Sequence, residues 1–314
     1  MSPNSWTCLH PSNATEAKLS LDNRGLAYGD GFFTTMGVID GQILWFDYHQ
    51  QRLVSHATAL QLQLNSDSLL TILKMHAKQL QQGMLKLIVT RAEQEVRGYG
   101  YTPNTGGSAC EIWFKSSPMA ITTAQSLPLA NNQFISLQPA ASAICLSSQI
   151  ACLPPTLAGL KSLNRLDNVL ASGELQAIKA KTLADTIKPS IAEGLLRDIN
   201  GHWVEGTMSN VFYQLVEAPV AKSSNRPHSQ NNSNYLTQGQ WYTPSMAQSG
   251  VAGVMRQVII DTLSTSNNPV IIRSLQDEDL PHLSQLFFCN ALRGIMPMTS
   301  LRLLSGEVVS FEAI

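Results

Sequence analysis

The sequence has few charged residues and no excess of either sign. Charged side chains make up 14% of its 314 residues, against roughly 25% in average soluble domains. Lysine plus arginine total 21 and aspartate plus glutamate total 22, so the formal net charge is -1. A chain without a basic field has little to attract a nucleic-acid backbone, which argues against nucleic acid as a partner.

Paired cysteines and long apolar runs are also missing. The five cysteines contain no CxxC spacing and are odd in number, which is typical of unpaired thiols in a reducing compartment. No run approaches the ~20 apolar residues that span a bilayer, and the beginning of the chain lacks the apolar core of a signal peptide. We therefore expect a cytoplasmic protein without a membrane segment.

Clustered metal ligands are not evident either. The seven histidines are scattered, and the two that share a predicted helix, His49 and His56, stand seven residues or about 10 Å apart along it. That distance is too large for both to hold one metal ion. We expect no metal site, and we expect these histidines to be ordinary residues of a helix surface.

The chain is long enough for two domains, since 314 residues exceed the usual size of one hydrophobic core. One large α/β domain is the alternative. Composition places an N-terminal α/β domain at 1–118, a polar linker without periodicity at 119–133, and a second domain at 134–314. Residues 217–240 are rich in Asn, Ser and Gln and could fill no core, so they predict a solvated insertion in the second domain.

Turn and helix signals fix several elements. Asp40-Gly41 and Asn200-Gly201 each stand between β-rich runs, which predicts two tight hairpins. Two helices should follow the first hairpin, one opening at Asp47 and one ending at Gly83, and should pack on one sheet. A further helix should begin close to Gly253.

The stretch LAGLKSLNRLDNVLA, residues 157–171, places Lys161 among apolar and small residues. A bland interpretation is a long side chain whose ammonium reaches water or pairs with Asp167. The functional interpretation is an imine-forming amine, because a desolvated lysine loses its proton more readily and can attack an aldehyde. An aldehyde cofactor would explain its position.

Glu205, in VEGTMSNVF, could be a solvent-facing carboxylate at a strand end. A carboxylate beside a pyridine nitrogen would instead keep that nitrogen protonated, which is what makes pyridoxal phosphate an electron sink. A phosphate would need its own site, and the helix opening at Gly253, Val254 and Met255 offers backbone N–H groups and a positive dipole end. Arg52 could add a charged fork.

Several motifs, taken in order, resemble the class IV, fold-type IV family of pyridoxal-phosphate enzymes. The likeness runs over roughly residues 20–300, apart from the insertion. The family includes branched-chain and D-amino-acid aminotransferases and aminodeoxychorismate lyases. The motifs are RGLAYGDGFFTT at 24–35, QQRL at 50–53, the Lys161 stretch, VEGTMSNVF, and AGVMRQ at 252–257.

This resemblance implies an α+β fold of two domains, a smaller N-terminal α/β sandwich and a larger C-terminal domain with a β-barrel-like sheet and helices. It places pyridoxal 5'-phosphate at the domain interface and implies a homodimer. Lys161 would form the imine with the cofactor and Glu205 would hold the pyridine nitrogen. The remaining implied cofactor contacts are Arg52, Ser209, Asn210, Val254, Met255, Asn290 and Ala291.

Three features are more similar to the lyases of the family than to its aminotransferases. They are Arg165, Met255 where aminotransferases often carry Thr, and the RGYGY segment at 97–101. The implied substrate, aminodeoxychorismate, carries two carboxylates, so Arg97 and Tyr99 would contact it and Thr35 would assist proton delivery. The expected products are 4-aminobenzoate, a folate precursor, and pyruvate.

Two other classes stay open. An aminotransferase would keep Lys161 and Glu205 but would require a keto-acid substrate. A non-catalytic α/β binding protein would make both residues incidental.

Overall fold

The computed structural model describes residues 6–10, 18–103, 109–121, 125–129, 133–182, 191–216 and 236–311. The chain divides into two compact units. The first unit comprises Met1–Ile121 and Leu160–Arg165, and the second comprises Thr122–Gly159 and Leu166–Ile314. Within the described ranges, no helix combines the length and apolarity needed to cross a membrane.

The first unit contains a five-stranded antiparallel sheet in the order β1-β5-β4-β2-β3. Its strands are β1 (Trp6–His10), β2 (Gly31–Ile39), β3 (Gln42–Ile43), β4 (Gly83–Arg91) and β5 (Cys110–Pro118). Its helices are α1 (Arg24–Tyr28), α2 (Phe46–Ala59) and α3 (Ser66–Leu80).

One face of this sheet carries the core of the first unit. Leu53 of α2 and Leu73 of α3 pack with Phe32, Met36 and other apolar side chains of β2, β4 and β5. Side chains alternate between the faces of a strand, so Phe33 and Thr35 project from the opposite face, where they are only partly buried. The packing of both helices on one sheet confirms the sequence prediction.

The first hairpin is a two-residue turn, as predicted. Asp40 and Gly41 both have positive φ, 50° and 71°, and they separate the paired residues Ile39 and Gln42. Asp47 was expected to cap α2, but the helix begins one residue earlier, and its N-cap, Trp45, makes no side-chain capping hydrogen bond. Asp47 lies in the first turn instead, where its carboxylate interacts favourably with the positive end of the helix dipole.

The second unit contains an eleven-stranded sheet, six strands of which close on themselves. The ring runs β8-β9-β10-β11-β14-β15 and returns to β8, with the two pairs that involve β8 parallel and the others antiparallel. Its strands are β6 (Gln125–Pro128), β7 (Phe134–Leu137), β8 (Ala141–Ile150), β9 (Ile191–Asp198), β10 (Trp203–Gly206), β11 (Asn210–Leu215), β12 (Tyr242–Thr243), β13 (Ile271–Ile272), β14 (Leu283–Asn290), β15 (Gly294–Arg302) and β16 (Val308–Ser310).

Apolar side chains fill and cover this ring. Trp203, Tyr213 and Phe288 belong to one buried cluster, and helix α4 (Leu166–Thr182) adds Ala171 and Leu175 to a second cluster. The second unit also contains α5 (Val254–Leu263) and a 3₁₀ helix (Asp277–His282). An α/β first unit and a barrel-like second unit confirm the fold class.

The observed units differ in two places from the boundaries expected from composition. The segment 119–133, expected to be a linker, contains strand β6, which pairs with β7. Its apolar residue Leu127 is buried, although its neighbours in the sequence are polar. Leu160–Arg165 belongs to the first unit, although it lies within the expected second domain. Most of the expected insertion, 217–235, lies outside the described residues, whereas Leu236 is buried.

The two histidines of α2 are buried, so the expectation that they occupy the helix surface was wrong. His49 is 1% exposed and His56 5%. Burial, reinforced by the positive charge of Arg52, lowers the pKa of each imidazole to about 3. Both histidines are therefore neutral in the folded protein near pH 7.

We expect acid to destabilise the protein through these histidines. In the unfolded chain each binds a proton below a pKa of about 6.5, whereas in the folded protein it does so only near 3. Above about pH 6.5 both imidazoles are neutral in the folded and the unfolded chain, so their burial does not reduce stability. Below that pH, protonation favours the unfolded chain, and each histidine lowers the free energy of unfolding by about 1.4 kcal/mol per pH unit. Urea denaturation between pH 7 and 4.5 should show a shallower pH dependence in His49→Gln than in the wild type. His282→Gln, at an exposed site, is the control, and parallel curves for His49→Gln and the wild type would contradict the expectation.

Candidate cofactor site

Lys161 lies in a short extended segment that pairs with the beginning of β2. The Phe33 N–H donates to the Lys161 carbonyl and the Leu163 N–H donates to the Gly31 carbonyl, both at 3.0 Å, with Ser162 opposite Phe32. In this antiparallel register, Lys161 projects from the same face as Phe33. Its Nζ lies 4.7 Å from the centroid of the Phe33 ring, within the range of a cation–π interaction.

The backbone N–H of Lys161 is also hydrogen-bonded, and its partner is His56 of α2. The Lys161 N–H donates to His56 Nε2 at 2.9 Å, so that nitrogen must carry a lone pair. The lowered pKa of His56, caused first by burial and then by the charges of Arg52, Lys161 and Arg165, keeps the imidazole neutral and able to accept.

Three cations gather near His56. Arg52 is 8% exposed, and burial lowers its pKa to about 10. A guanidinium N–H of Arg165 donates to the Leu160 carbonyl, while its buried Nε makes no hydrogen bond. Together with Lys161 these groups form a concentration of positive charge that includes an unsatisfied buried donor. Such a surrounding fits an anionic group, for example a phosphate.

Thr35 lies on the partly open face of the first sheet, directly opposite Lys86 in the adjacent strand. Lys86 Nζ is 5.4 Å from the centroid of the Phe33 ring. The ammonium groups of Lys86 and Lys161 therefore lie against the same aromatic ring. Lys86 could not be identified from the sequence, because a lone Lys in a strand gives no signal until the strand register places it beside Thr35.

The loop that carries Arg97 and Tyr99 is attached through its backbone. Buried Arg24 donates to the carbonyls of Gly98 and Tyr99, at 3.4 and 3.1 Å, and its Nε pairs with Asp30 at 2.9 Å. The side chains of Arg97 and Tyr99 are exposed. The structure thus places both as available surface groups on a segment whose main chain is held.

In the second unit, Glu205 is buried in β10 with 3% exposure. Its Oε2 accepts the Val251 N–H at 2.8 Å and its Oε1 accepts from Asn168 Nδ2 at 3.4 Å. Gly250 has φ of 78°, and a Cβ there would come within 3.0 Å of Oε2. The solvent-facing interpretation of Glu205 was therefore wrong. A desolvated carboxylate of this kind suits a protonated ring nitrogen.

Ser209 and Asn210 make contacts that the motif did not indicate. The Ser209 hydroxyl donates to Glu193 Oε2 at 2.7 Å, and Glu193 also accepts from the Thr207 hydroxyl and main chain. Asn210 Nδ2 donates to the Val251 carbonyl at 2.8 Å. Both side chains stabilise the backbone around Glu205, a role that sequence analysis missed.

Val254 and Met255 form the first turn of α5, both with buried side chains. The N-cap, Gly253, supplies no side-chain acceptor, and a Cβ there would collide with Asn210 Oδ1. An α-helix leaves its first N–H groups without intrahelical partners, so this turn can donate to an anion. The helix start confirms the sequence prediction.

Asn290 ends β14 and shapes the turn that contains Ala291. Its Oδ1 accepts hydrogen bonds from the N–H groups of Leu292 and Arg293, at 3.1 and 2.8 Å.

Among the residues that the structure describes, no group of three or more metal-ligating side chains could hold a metal ion.

Comparison with known proteins gives relatives that cover nearly the whole chain. It is 23% identical over 287 residues to an aminodeoxychorismate lyase of Vibrio harveyi, covering 91% of this chain and 88% of the relative. It is 26% identical over 299 residues to a putative branched-chain-amino-acid aminotransferase of Methanocaldococcus jannaschii, covering 94% and 85%.

A solved structure of a 4-amino-4-deoxychorismate lyase from Pseudomonas aeruginosa is similar, with a TM-score of 0.70, 29% identity and coverage of 95% of this chain and 91% of that one. A hypothetical aminotransferase from Mycobacterium tuberculosis, in its PLP-bound form, shares the fold, with a TM-score of 0.62, 16% identity and coverage of 94% and 90%. The model of amino-transferase class IV matches residues 31–301, so the chain belongs to the class IV aminotransferase family.

Proposed function

We propose that this protein is a pyridoxal-phosphate-dependent lyase that converts 4-amino-4-deoxychorismate to 4-aminobenzoate and pyruvate. The observation that carries the proposal is the likeness, at 29% identity over 95% of the chain, to a 4-amino-4-deoxychorismate lyase. Met255 at the start of α5 supports it, because aminotransferases of the family often carry a hydroxyl there.

Pyridoxal 5'-phosphate is the cofactor, and the residues present fit it. In the first unit, Arg52 and Arg165 offer donors suited to a phosphate. In the second unit, the first turn of α5 also suits a phosphate, and buried Glu205 suits a protonated ring nitrogen. When bound, the cofactor supplies an aldehyde that condenses with amines and a ring that stores the electrons of a carbanion.

The residues of this chain would then divide the work. Lys161 Nζ would anchor the cofactor and, once displaced by the substrate amine, take the proton from C4 of the substrate. Glu205 would hold a proton on the pyridine nitrogen. Loss of the enolpyruvyl group would make the substrate ring aromatic. A proton delivered to the methylene carbon of the departing enolpyruvyl group would then complete pyruvate. Thr35, on the same sheet face as Phe33, would assist that delivery.

The substrate's two carboxylates need cationic partners. We assign this role to Lys86, which lies against Phe33 beside Thr35, and to exposed Arg97, with Tyr99 as a neighbouring contact. Arginine can bind a carboxylate through two parallel hydrogen bonds, and lysine binds it as a point charge.

A branched-chain or D-amino-acid aminotransferase is the second candidate, favoured by the likeness to the Methanocaldococcus jannaschii relative. It would use the same Lys161 and Glu205. A homodimer and a cytoplasmic location, with a role in folate biosynthesis, complete the proposal.

The first prediction concerns the site of cofactor attachment. Borohydride reduction followed by peptide mass analysis should place the pyridoxyl group on Lys161. Lys161→Ala should lower turnover by a factor on the order of 10³ or more, because anchor and base are lost together. Lys179→Ala, whose parent side chain donates to the Ala192 carbonyl, is the control. An adduct on Lys179 would refute the assignment.

The second prediction concerns Glu205. Glu205→Gln should leave cofactor binding in place but slow turnover about a hundredfold, because a neutral amide cannot keep the pyridine nitrogen protonated. Absorbance measures cofactor content and single-turnover kinetics measure proton removal. Glu307→Gln, at an exposed site, should behave as wild type. Unchanged turnover in Glu205→Gln would assign the carboxylate a structural role.

The third prediction separates the two reactions. Purified protein given 4-amino-4-deoxychorismate should release 4-aminobenzoate and pyruvate in equal amounts without any keto acid, since elimination needs no amino acceptor. The amounts of both products follow from chromatography. Amino transfer from a branched-chain or D-amino acid to a keto acid, with no 4-aminobenzoate formed, would establish the aminotransferase instead.

A further inference from the structure

We propose that His56 is a positioning residue that fixes the main chain of Lys161 and thereby aims its side chain. The inference rests on the proposed function of Lys161 as the cofactor-binding amine. His56 touches neither substrate nor cofactor in this role, because it acts through the Lys161 peptide.

A chain of hydrogen bonds ties that peptide to helix α2. The Lys161 N–H donates to His56 Nε2 at 2.9 Å, which assigns the ring proton to Nδ1. His56 Nδ1 lies 3.3 Å from Ser55 Oγ, and Ser55 Oγ donates to the Arg52 carbonyl at 3.2 Å. The link therefore runs from the Lys161 main chain to the backbone of the residue proposed to bind phosphate.

Packing leaves the imidazole little freedom. His56 is 5% exposed, and its ring meets the Phe32 ring edge-on at a centroid distance of 5.4 Å. Phe32 is fully buried in β2, next to Phe33, whose N–H binds the Lys161 carbonyl. Lys161 is thus held at its N–H by α2 and at its carbonyl by β2.

Two fixed ends determine where the side chain starts. With both hydrogen bonds in place, the Lys161 ammonium lies 4.7 Å from the Phe33 ring centroid. Without the His56 bond, the peptide between Leu160 and Lys161 can rotate and displace the Cα–Cβ bond. Small displacements of a reacting group can lower the rate by up to about a hundredfold.

Three substitutions separate the hydrogen bond from packing. His56→Gln keeps an acceptor at a reach similar to that of Nε2, whereas His56→Leu fills the space without an acceptor. His76→Leu is the control, since His76 is also buried but packs on Phe114. His56→Asn, which is polar but shorter, replaces His56→Leu if that variant does not fold.

The first measurement needs neither cofactor nor activity. Protein labelled with ¹⁵N-lysine reports the hydrogen exchange of the Lys161 amide in the apoprotein, with its signal assigned by its loss in Lys161→Arg. We expect exchange about tenfold faster in His56→Leu, in keeping with the loss of one buried hydrogen bond. His56→Gln should stay within about threefold of the wild type and His76→Leu should match it.

The second measurement uses the holoenzyme. His56→Leu should lower kcat about tenfold with KM within about twofold, and His56→Gln should recover most of the loss. An unchanged exchange rate in His56→Leu would overturn the proposal, and so would faster exchange with unchanged kcat. Faster exchange and lower kcat in a protein that proves to be an aminotransferase would support His56 while refuting the lyase. A pyridoxyl adduct found away from Lys161 would refute the assignment of Lys161 and with it the role of His56, and it would leave the choice between lyase and aminotransferase to the product measurement.

Discussion

The burial of positive charge on helix α2 is the constraint on which the surroundings of Lys161 in the first unit depend. Moving a guanidinium out of water is unfavourable unless something compensates, and the pKa of Arg52, lowered to about 10, records that penalty. The same charge acts on His49 and His56 and helps to keep both neutral. Neutral imidazoles can accept hydrogen bonds, so the cation and the peptide contact of Lys161 are parts of one arrangement. Under the proposed function, the phosphate of the cofactor would offset the free-energy cost of burying this positive charge.

In the second unit, the buried group that needs compensation is the carboxylate of Glu205, and hydrogen bonds stabilise it. Glu205 binds the Val251 N–H, and Val251 is itself held through its carbonyl by Asn210. The loop can approach this closely because Gly250 and Gly253 carry no Cβ. Motif residues such as Ser209 and Asn210 therefore stabilise the backbone around Glu205. Asn290 does the same for its own turn.

Local signals predicted the elements well where turn chemistry decides the structure. The Asp40-Gly41 hairpin forms because both residues adopt positive φ, and α5 begins where an uncapped glycine precedes an apolar helix. The limits of the linker were not predictable, because strand β6 in a polar stretch depends on pairing with β7. His56 was misjudged for a similar reason, since helical spacing does not show which partner covers a given face.

The family motifs, the alternation of strands and helices, and the residue types suited to an aldehyde cofactor with a phosphate can all be identified from the order of the amino acids. Residue order encodes these directly, through side-chain chemistry and short-range periodicity. Three contacts could be found only in the folded chain: Lys161 pairs with β2, His56 accepts the Lys161 N–H, and Lys86 lies opposite Thr35. These contacts join residues far apart in the chain, and they form only when strand register and helix packing bring the backbones together.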